Sequence, residues 1–276
     1  MMSHKMLGFG LLIFAVVASA SGPLLRLSLR TRVETSKGSG EWRESTIQRE
    51  VPVSRAALII CDMWDKHWCV GAMERGDPLA KKAAPVIDLA RERGILIIHA
   101  PSDTMKFYKD DPARLRVLEI PKVEPPESAS ISEPPLPIDD SDGGCDTPNN
   151  PTKVNTVVWT RQNPAIRIAA PDLISDNGRE VYSALKLRGI DTLFVMGVHA
   201  NMCILDRSFA IRQMSKWGIH CILIRDLTDT MYNPARRPFV SHDQGTQLVI
   251  EHIEKYWAPT ITSDQLVRAM GESGRS

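Results

Sequence analysis

The sequence predicts an α/β protein, a three-layer sandwich in which a mostly parallel sheet carries helices on both faces, a Rossmann-like arrangement. Two observations predict it. Short runs without a polar residue, such as Ala57-Leu58-Ile59-Ile60-Cys61, alternate with segments whose apolar residues recur at helical spacing. The helical segments stop at Gly94, Gly189 and Gly218, each followed by another apolar run. Uninterrupted apolar strands belong to a sheet covered on both faces, and strands taking turns with helices give parallel neighbours joined by right-handed crossovers.

In chain order, residues 1–20 read as a secretory signal: Lys5, an apolar run from Leu7 to Ala18, then Ala18-Ser19-Ala20. The run is too short to span a bilayer comfortably. Cleavage is expected after Ala20, giving an exported chain, periplasmic or secreted, with no membrane attachment; a buried first helix or an uncleaved anchor is the alternative. Residues 21–54 hold two alternating segments, Arg26 to Val33 and Trp42 to Val51, around Lys37-Gly38-Ser39-Gly40, an accessory β-hairpin with one wet face. Its exposed edge offers a second copy a place to pair, so a homo-oligomer is a possible partner state.

Residues 55–276 form the main domain. The expected strands are Ala57–Cys61, Ile95–His99, Val154–Trp159, Thr192–Met196 and Ile219–Ile224. The expected helices are Lys81–Arg93, Gly178–Arg188, Cys203–Trp217 and one closing at Tyr256 with Asp243 as its cap. Residues 110–151 interrupt the pattern with prolines and a polar run, an inserted loop that is either disordered or a lid.

The chain has 276 residues, 34 Lys plus Arg against 33 Asp plus Glu, and is 43% hydrophobic. That composition excludes wholesale disorder. A net charge of +1 gives no reason to propose nucleic acid as a partner, which would need clustered positive charge. Balance favours a small-molecule site. The cysteines are Cys61, Cys69, Cys145, Cys203 and Cys221. An odd number in an exported chain leaves at least one thiol unpaired or intermolecular.

In open α/β sheets ligands bind beyond the carboxyl ends of the strands, and three strand ends stand out. Asp62 directly follows a buried strand, where a carboxylate is either a helix cap or a candidate acid or base. Cys203 closes the turn Gly197-Val198-His199-Ala200-Asn201-Met202 and opens a helix, a position that favours thiolate over thiol. Arg161 lies just past the third expected strand. Together they supply a nucleophile, a proton carrier and a fixed cation.

The strand ending in Asp62, and the glycine turn leading into Cys203 on a helix, resemble the isochorismatase-like cysteine hydrolases, the group that includes nicotinamidases. The resemblance covers about residues 55–257, with 110–151 as an insertion. It implies an Asp–Lys–Cys triad, which Asp62 and Cys203 match; Arg161 stands about where the family carries its lysine, and an arginine keeps the charge but releases no proton. It also implies a cis peptide in the turn, between Val198 and His199, with the amides of His199 and Cys203 as an oxyanion hole. Nicotinamidases bind a metal through a closely spaced Asp and His set after the second strand. Here His99-Ala100-Pro101-Ser102-Asp103 lacks that set, so no metal and no other cofactor is expected. Cys61, His67 and Cys69 make a poor zinc set, since one lies in a strand and a fourth ligand is missing.

The activity this implies is hydrolysis of a small-molecule amide or related C–N bond through a thioester on Cys203, with Asp62 carrying the proton. Trp64, His67, His99 and Asn201 lie on the same expected rim and are candidate substrate-binding residues. Isochorismatase proper acts on a vinyl ether without the cysteine, so Cys203 points away from that activity. Two other readings stay open: a secreted binding or assembly protein that kept the scaffold without turnover, and a Cys–His hydrolase with His199 as base.

Overall fold

The computed structural model describes residues 22–273; the signal expected at residues 1–20 lies outside them. In chain order the elements are β1 (Leu24–Glu34), β2 (Trp42–Pro52), β3 (Ala56–Cys61), α1 (Val70–Glu92), β4 (Leu96–Ala100), α2 (Pro112–Leu118), β5 (Leu173–Ile174), α3 (Gly178–Leu187), β6 (Thr192–Val198), α4 (Cys203–Asp206), α5 (Ile211–Lys216), β7 (His220–Asp229), α6 (His242–Tyr256), β8 (Thr260–Ile261) and α7 (Ser263–Glu272). They build one sheet of eight strands in the order β2-β1-β8-β7-β6-β3-β4-β5. From β8 to β5 all neighbours are parallel, while β1 runs antiparallel to both β8 and β2.

Strand β3 shows why its sequence is apolar throughout. Ala57, Ile59 and Cys61 pack on one face with Val181 and Leu185 of α3, Met214 of α5 and Val249 and Ile253 of α6. Leu58 and Ile60 pack on the other with Ala83, Ile87 and Ala90 of α1 and Leu266 and Met270 of α7. Each fully buried Leu or Ile contributes about 1.5–3 kcal/mol of transfer free energy, so β3 is held from both sides and its carboxyl end is a rigid platform.

The hairpin joins this sheet rather than standing apart. Strands β1 and β2 pair along their whole length, from Leu24↔Pro52 to Glu34↔Trp42. Leu25, Leu27 and Leu29 of β1 are buried in the α1/α7 layer. Its other anchor is ionic: Arg30 Nε donates to Glu254 Oε1 at 2.7 Å, and Arg32 Nε lies 3.3 Å from Glu254 Oε2.

Several elements differ from expectation, each for a local reason. Val154–Trp159 forms no strand; Val154 and Val157 are exposed and Asn155 has φ 60°, which breaks an extended run. The sheet position beside β4 is taken instead by the two buried residues of β5. The helix expected over Cys203–Trp217 divides into α4 and α5, because Arg207 leaves helical geometry at φ −61°, ψ 146°. Helix α1 begins at Val70 rather than Lys81 and contains Pro78 and Pro85. The cap of α6 is Ser241, in a capping box with Gln244, not Asp243. Strand β7 runs past Ile224 to Asp229.

The insertion, residues 110–151, packs on the body of the protein. Its Ala129 N–H donates to Lys216 O at 3.1 Å, and Cys145 forms a disulfide with Cys69, Cα–Cα 5.7 Å, at the cap of α1. At Gly144, φ 70°, a β-carbon would stand 2.2 Å from Met231 O, so only glycine lets the loop lie this close to the chain after β7.

Candidate active site

The site forms where β3 and β6 end side by side, with Cys61 opposite Gly197. Gly197 has φ 115°, and a β-carbon there would lie 1.9 Å from Cys61 O, so this approach of the two strands requires glycine. One residue past Cys61 the chain turns sharply at Asp62, φ 49°, a left-handed conformation that Asp tolerates better than most residues. The turn brings the Asp62 side chain into a fully buried position.

Two donors hold it there. Asp62 Oδ1 accepts the Ser102 N–H at 2.7 Å, and Oδ2 accepts Arg207 Nε–H at 3.0 Å. The Cys203 thiol is near enough to the same carboxylate for each group to alter the other's proton affinity. Burial raises the Asp62 carboxyl above the ordinary range, while Arg207, Cys203 and Ser102 pull it back. Burial and the neighbouring Asp62 charge likewise push the Cys203 thiol well up, against the pull of Arg207. This corrects the expectation of a resting thiolate. Helix α4 is a single turn of four residues, and its end cannot offset a carboxylate beside the sulfur. The sulfur is favoured as a thiol, with Asp62 beside it as a group able to take its proton.

Arg161 is the main displacement among the expected catalytic residues. Its guanidinium lies 4.0 Å from Asp65 and 5.7 Å from the Phe107 ring centroid, and its side chain is half exposed. The cation that reaches Asp62 is Arg207. The reason is the missing strand: without pairing at Val154–Trp159, Arg161 is carried to the Asp65 turn, where Asp65 Oδ1 accepts the Thr160 and Arg161 amides. Arg207 went unremarked in the sequence, although it stands four residues after Cys203, a spacing that returns to the same side of a helical turn.

The Val198–His199 peptide is cis. Among the described residues neither the His199 nor the Cys203 amide donates a hydrogen bond, so both remain available to an oxyanion. The His199 side chain is buried, with its ring centroid 5.0 Å from that of His67. Burial holds both imidazoles neutral, His199 down to about 3 and His67 down to about 4. Neither ring hydrogen-bonds Cys203 or Asp62 among the described residues, which leaves His199 without the contact a Cys–His base needs.

Two spaces flank the pair. An open depression of about 490 Å³ lies between Leu136 and Asp140 of the insertion and Asn201, Met202, Cys203 and Arg207. On the α1 side of Asp62 is a cavity of about 20 Å³, bordered by Trp64, His67 and His199, close to the volume that holds one water.

The four expected rim residues part ways. Trp64 and His67 line the small cavity and belong to an aromatic stack in which Trp64 and Trp159 lie 4.1 Å apart. Trp64 Nε1 also donates to Ser102 O at 3.0 Å. Asn201 touches the open depression but serves as a strut: Nδ2 donates to Asp140 Oδ2 at 2.7 Å and Oδ1 accepts the Met231 N–H at 3.0 Å. His99 borders neither space. It is fully buried, with Nδ1 2.9 Å from Gln162 Oε1 and Nε2 2.9 Å from Asp172 Oδ2, a link in the packing rather than a substrate contact. Cys69 is joined to Cys145, which removes it from the Cys61, His67, Cys69 trio as a thiolate ligand; Cys61, Cys203 and Cys221 are free.

No protein-family model matches the chain, and no curated protein matches it. Solved structures of similar fold include a cysteine hydrolase from Pseudomonas syringae pv. phaseolicola, 16% identical with a TM-score of 0.49, covering 81% of this chain and 95% of that one. An isochorismatase from Pseudomonas putida is 15% identical with a TM-score of 0.47, covering 78% and 91%. An isochorismatase family protein from Burkholderia thailandensis is 16% identical with a TM-score of 0.46, covering 79% and 96%. At these identities the likeness assigns no residue a role; cysteine hydrolases and isochorismatase-family proteins are among the solved structures that this α/β chain is similar to.

Proposed function

We propose that this chain is an isochorismatase-like cysteine hydrolase that cleaves a small-molecule amide or related C–N bond through a thioester on Cys203. The observation that carries the reading is a buried carboxylate paired with a guanidinium, Arg207 Nε 3.0 Å from Asp62 Oδ2, with the Cys203 thiol beside them on the rim of the open depression. As sulfur attacks the carbonyl carbon, the thiol proton passes to Asp62, so the nucleophile is generated only as the S–C bond forms. The free amides of His199 and Cys203 receive the developing oxyanion. Asp62 then delivers the proton to the leaving nitrogen as the C–N bond breaks. Water adds to the thioester, the S–C bond breaks, the acid leaves and a proton returns to sulfur.

Arg207 takes the place that the sequence suggested for Arg161. It stabilises the carboxylate form of Asp62 and carries no proton itself. The small-molecule substrate reaches Cys203 from the open depression, whose outer wall is the insertion. Export is part of the same proposal. The Cys69–Cys145 disulfide suits an oxidising compartment, as does removal of residues 1–20.

Ammonia release from a panel of small primary amides tests the reading, with Cys203→Ala as the control. Turnover by the parent chain and none by the variant is the expected outcome. Equal turnover by both would overturn the covalent route. A non-catalytic binding protein would release ammonia from no member of the panel.

A further inference from the structure

Asp62 must accept a proton and give it up within one turnover, yet two of its contacts, the Arg207 Nε–H and the Ser102 N–H, can only donate. The third group beside it is different. The Ser102 amide places this residue at the Asp62 carboxylate, 2.7 Å from Oδ1, the residue is 2% exposed, and its Oγ has no hydrogen-bond partner among the described residues. A hydroxyl left free in a buried site needs a reason. It can turn its proton toward a carboxylate or offer a lone pair to a carboxylic acid, so it serves both charge states of Asp62. Ser102 is also fixed from behind, since its carbonyl accepts Trp64 Nε1–H at 3.0 Å.

We propose that Ser102 is a positioning residue for the proton carrier: its amide aims the Asp62 carboxylate, and its hydroxyl follows the proton on and off that group. This rests on the reading of Asp62 as the proton carrier for Cys203. Trp64, expected from the sequence to touch substrate, then acts at one remove by holding Ser102 in place. The titratable and charged groups that face Asp62 are Cys61 from β3, Cys203 and Arg207 from the α4 turn, and Asp103, which lies 3.4 Å from Arg207 Nη2. Arg207 can only donate, the Cys61 thiol is directed at Val198 O, and the Cys203 thiol supplies the proton, which leaves the Ser102 hydroxyl to change between donor and acceptor as Asp62 gains and loses that proton.

The rate of alkylation of Cys203 by iodoacetamide as a function of pH reads the Asp62–Cys203 pair without knowledge of the substrate, with the modified residue identified by peptide mass. In the parent chain the rate climbs as the pair loses its first proton, an apparent value belonging to both groups. Ser102→Ala removes the hydroxyl that is free to turn toward the carboxylate while keeping the amide, and is expected to move that midpoint upward by about half a pH unit to one unit. Ser102→Thr restores it. Ser102→Gly, which also lacks the hydroxyl, gives the same readout should Ser102→Ala fail to fold. Asp62→Asn is expected to abolish the limb. A Ser102→Ala profile superimposed on that of the parent, with Asp62→Asn altered, overturns the role of Ser102 alone. An unchanged Asp62→Asn profile overturns the underlying reading of Asp62 instead.

Discussion

Glu254 and Asp62 are both buried carboxylates beside arginines, and of the two only Asp62 sits at a candidate active site. Glu254, on α6, meets Arg30 at 2.7 Å and Arg32 at 3.3 Å, and it accepts the Thr260 hydroxyl at 2.6 Å. Asp62 meets Arg207 at 3.0 Å and the Ser102 amide at 2.7 Å. The first acid has two cations from one strand and no nucleophile, and its effect is to clamp the hairpin onto α6. The second has one cation, a thiol and a hydroxyl with no other partner. A buried ion pair is therefore not itself a mark of catalysis; what separates the two is a neighbour that can lose a proton.

The sharpest way to break that comparison is to remove the chemistry and leave the frame. Cys203→Ala and Asp62→Asn are each expected to lower amide turnover by at least about a thousandfold, the usual cost of losing a member of a nucleophilic pair. Both should still melt cooperatively. A second contrast breaks each ion pair, at the cation in one and at the acid in the other. Arg207→Met leaves Asp62 buried without its cation and is expected to cost about 3 kcal/mol of stability together with about a hundredfold in turnover. Glu254→Gln, at the other clamp, is expected to cost a similar ~3 kcal/mol with turnover unchanged. Chemical denaturation alongside ammonia release separates these outcomes. Loss of turnover in Glu254→Gln would mean that the hairpin clamp and the site are coupled.

A smaller effect is expected at Arg161. Its guanidinium is engaged with Asp65 and Phe107, so Arg161→Ala should change turnover by no more than about twofold, the scale of a surface substitution. A hundredfold loss would restore Arg161 to the place that the sequence suggested for it.

These differences trace which parts of the molecule could be read from sequence. Strands with apolar residues on both faces, such as β3 and β6, were plain, because burial on two sides demands an uninterrupted apolar run. From their ends came Asp62 and Cys203, whereas the cis turn at Val198–His199 was expected only from the family resemblance. Residues whose role depends on pairing were not legible. The run Val154–Trp159 has the composition of a strand, but exposure of Val154 and Val157 shows that no neighbouring strand covers it, and Arg161 moved with it. Arg207 gave only the weak signal of four-residue spacing, and that spacing presumed an unbroken helix where the chain in fact turns outward. His99 looked like a rim residue because it ends a strand; its neighbours Gln162 and Asp172 come from a later segment that no local pattern places against it. Ser102 carried no signal at all, since a serine after a strand is usually only part of a turn.

The histidines give the smallest effects and a further comparison, because burial depresses His67, His199 and His242 alike and only His242 has contacts that outweigh it. His242 Nε2 donates to Asp229 Oδ1 at 2.9 Å and its Nδ1 to Tyr232 O at 3.0 Å, and these contacts raise its affinity for a proton despite burial. With the folded value above the unfolded one, its contribution to stability is complete below about pH 6.5 and is lost as the pH rises through the folded value. His67 and His199 are depressed chiefly by burial, to about 4 and about 3. They bind protons more readily when unfolded, so their contribution is present above about pH 6.5 and is lost as the pH falls toward those values. Stability should therefore pass through a maximum, with His67, His199 and His252, which burial likewise lowers to about 4, acting on the acid side and His242 on the alkaline side. Thermal melting of the parent and of His242→Gln across pH 5 to 9 checks the assignment. The variant is expected to melt lower than the parent at pH 6, and the gap should narrow as the pH rises. A gap that stayed constant across that range would show that the His242 ring contributes by packing and not by its charge.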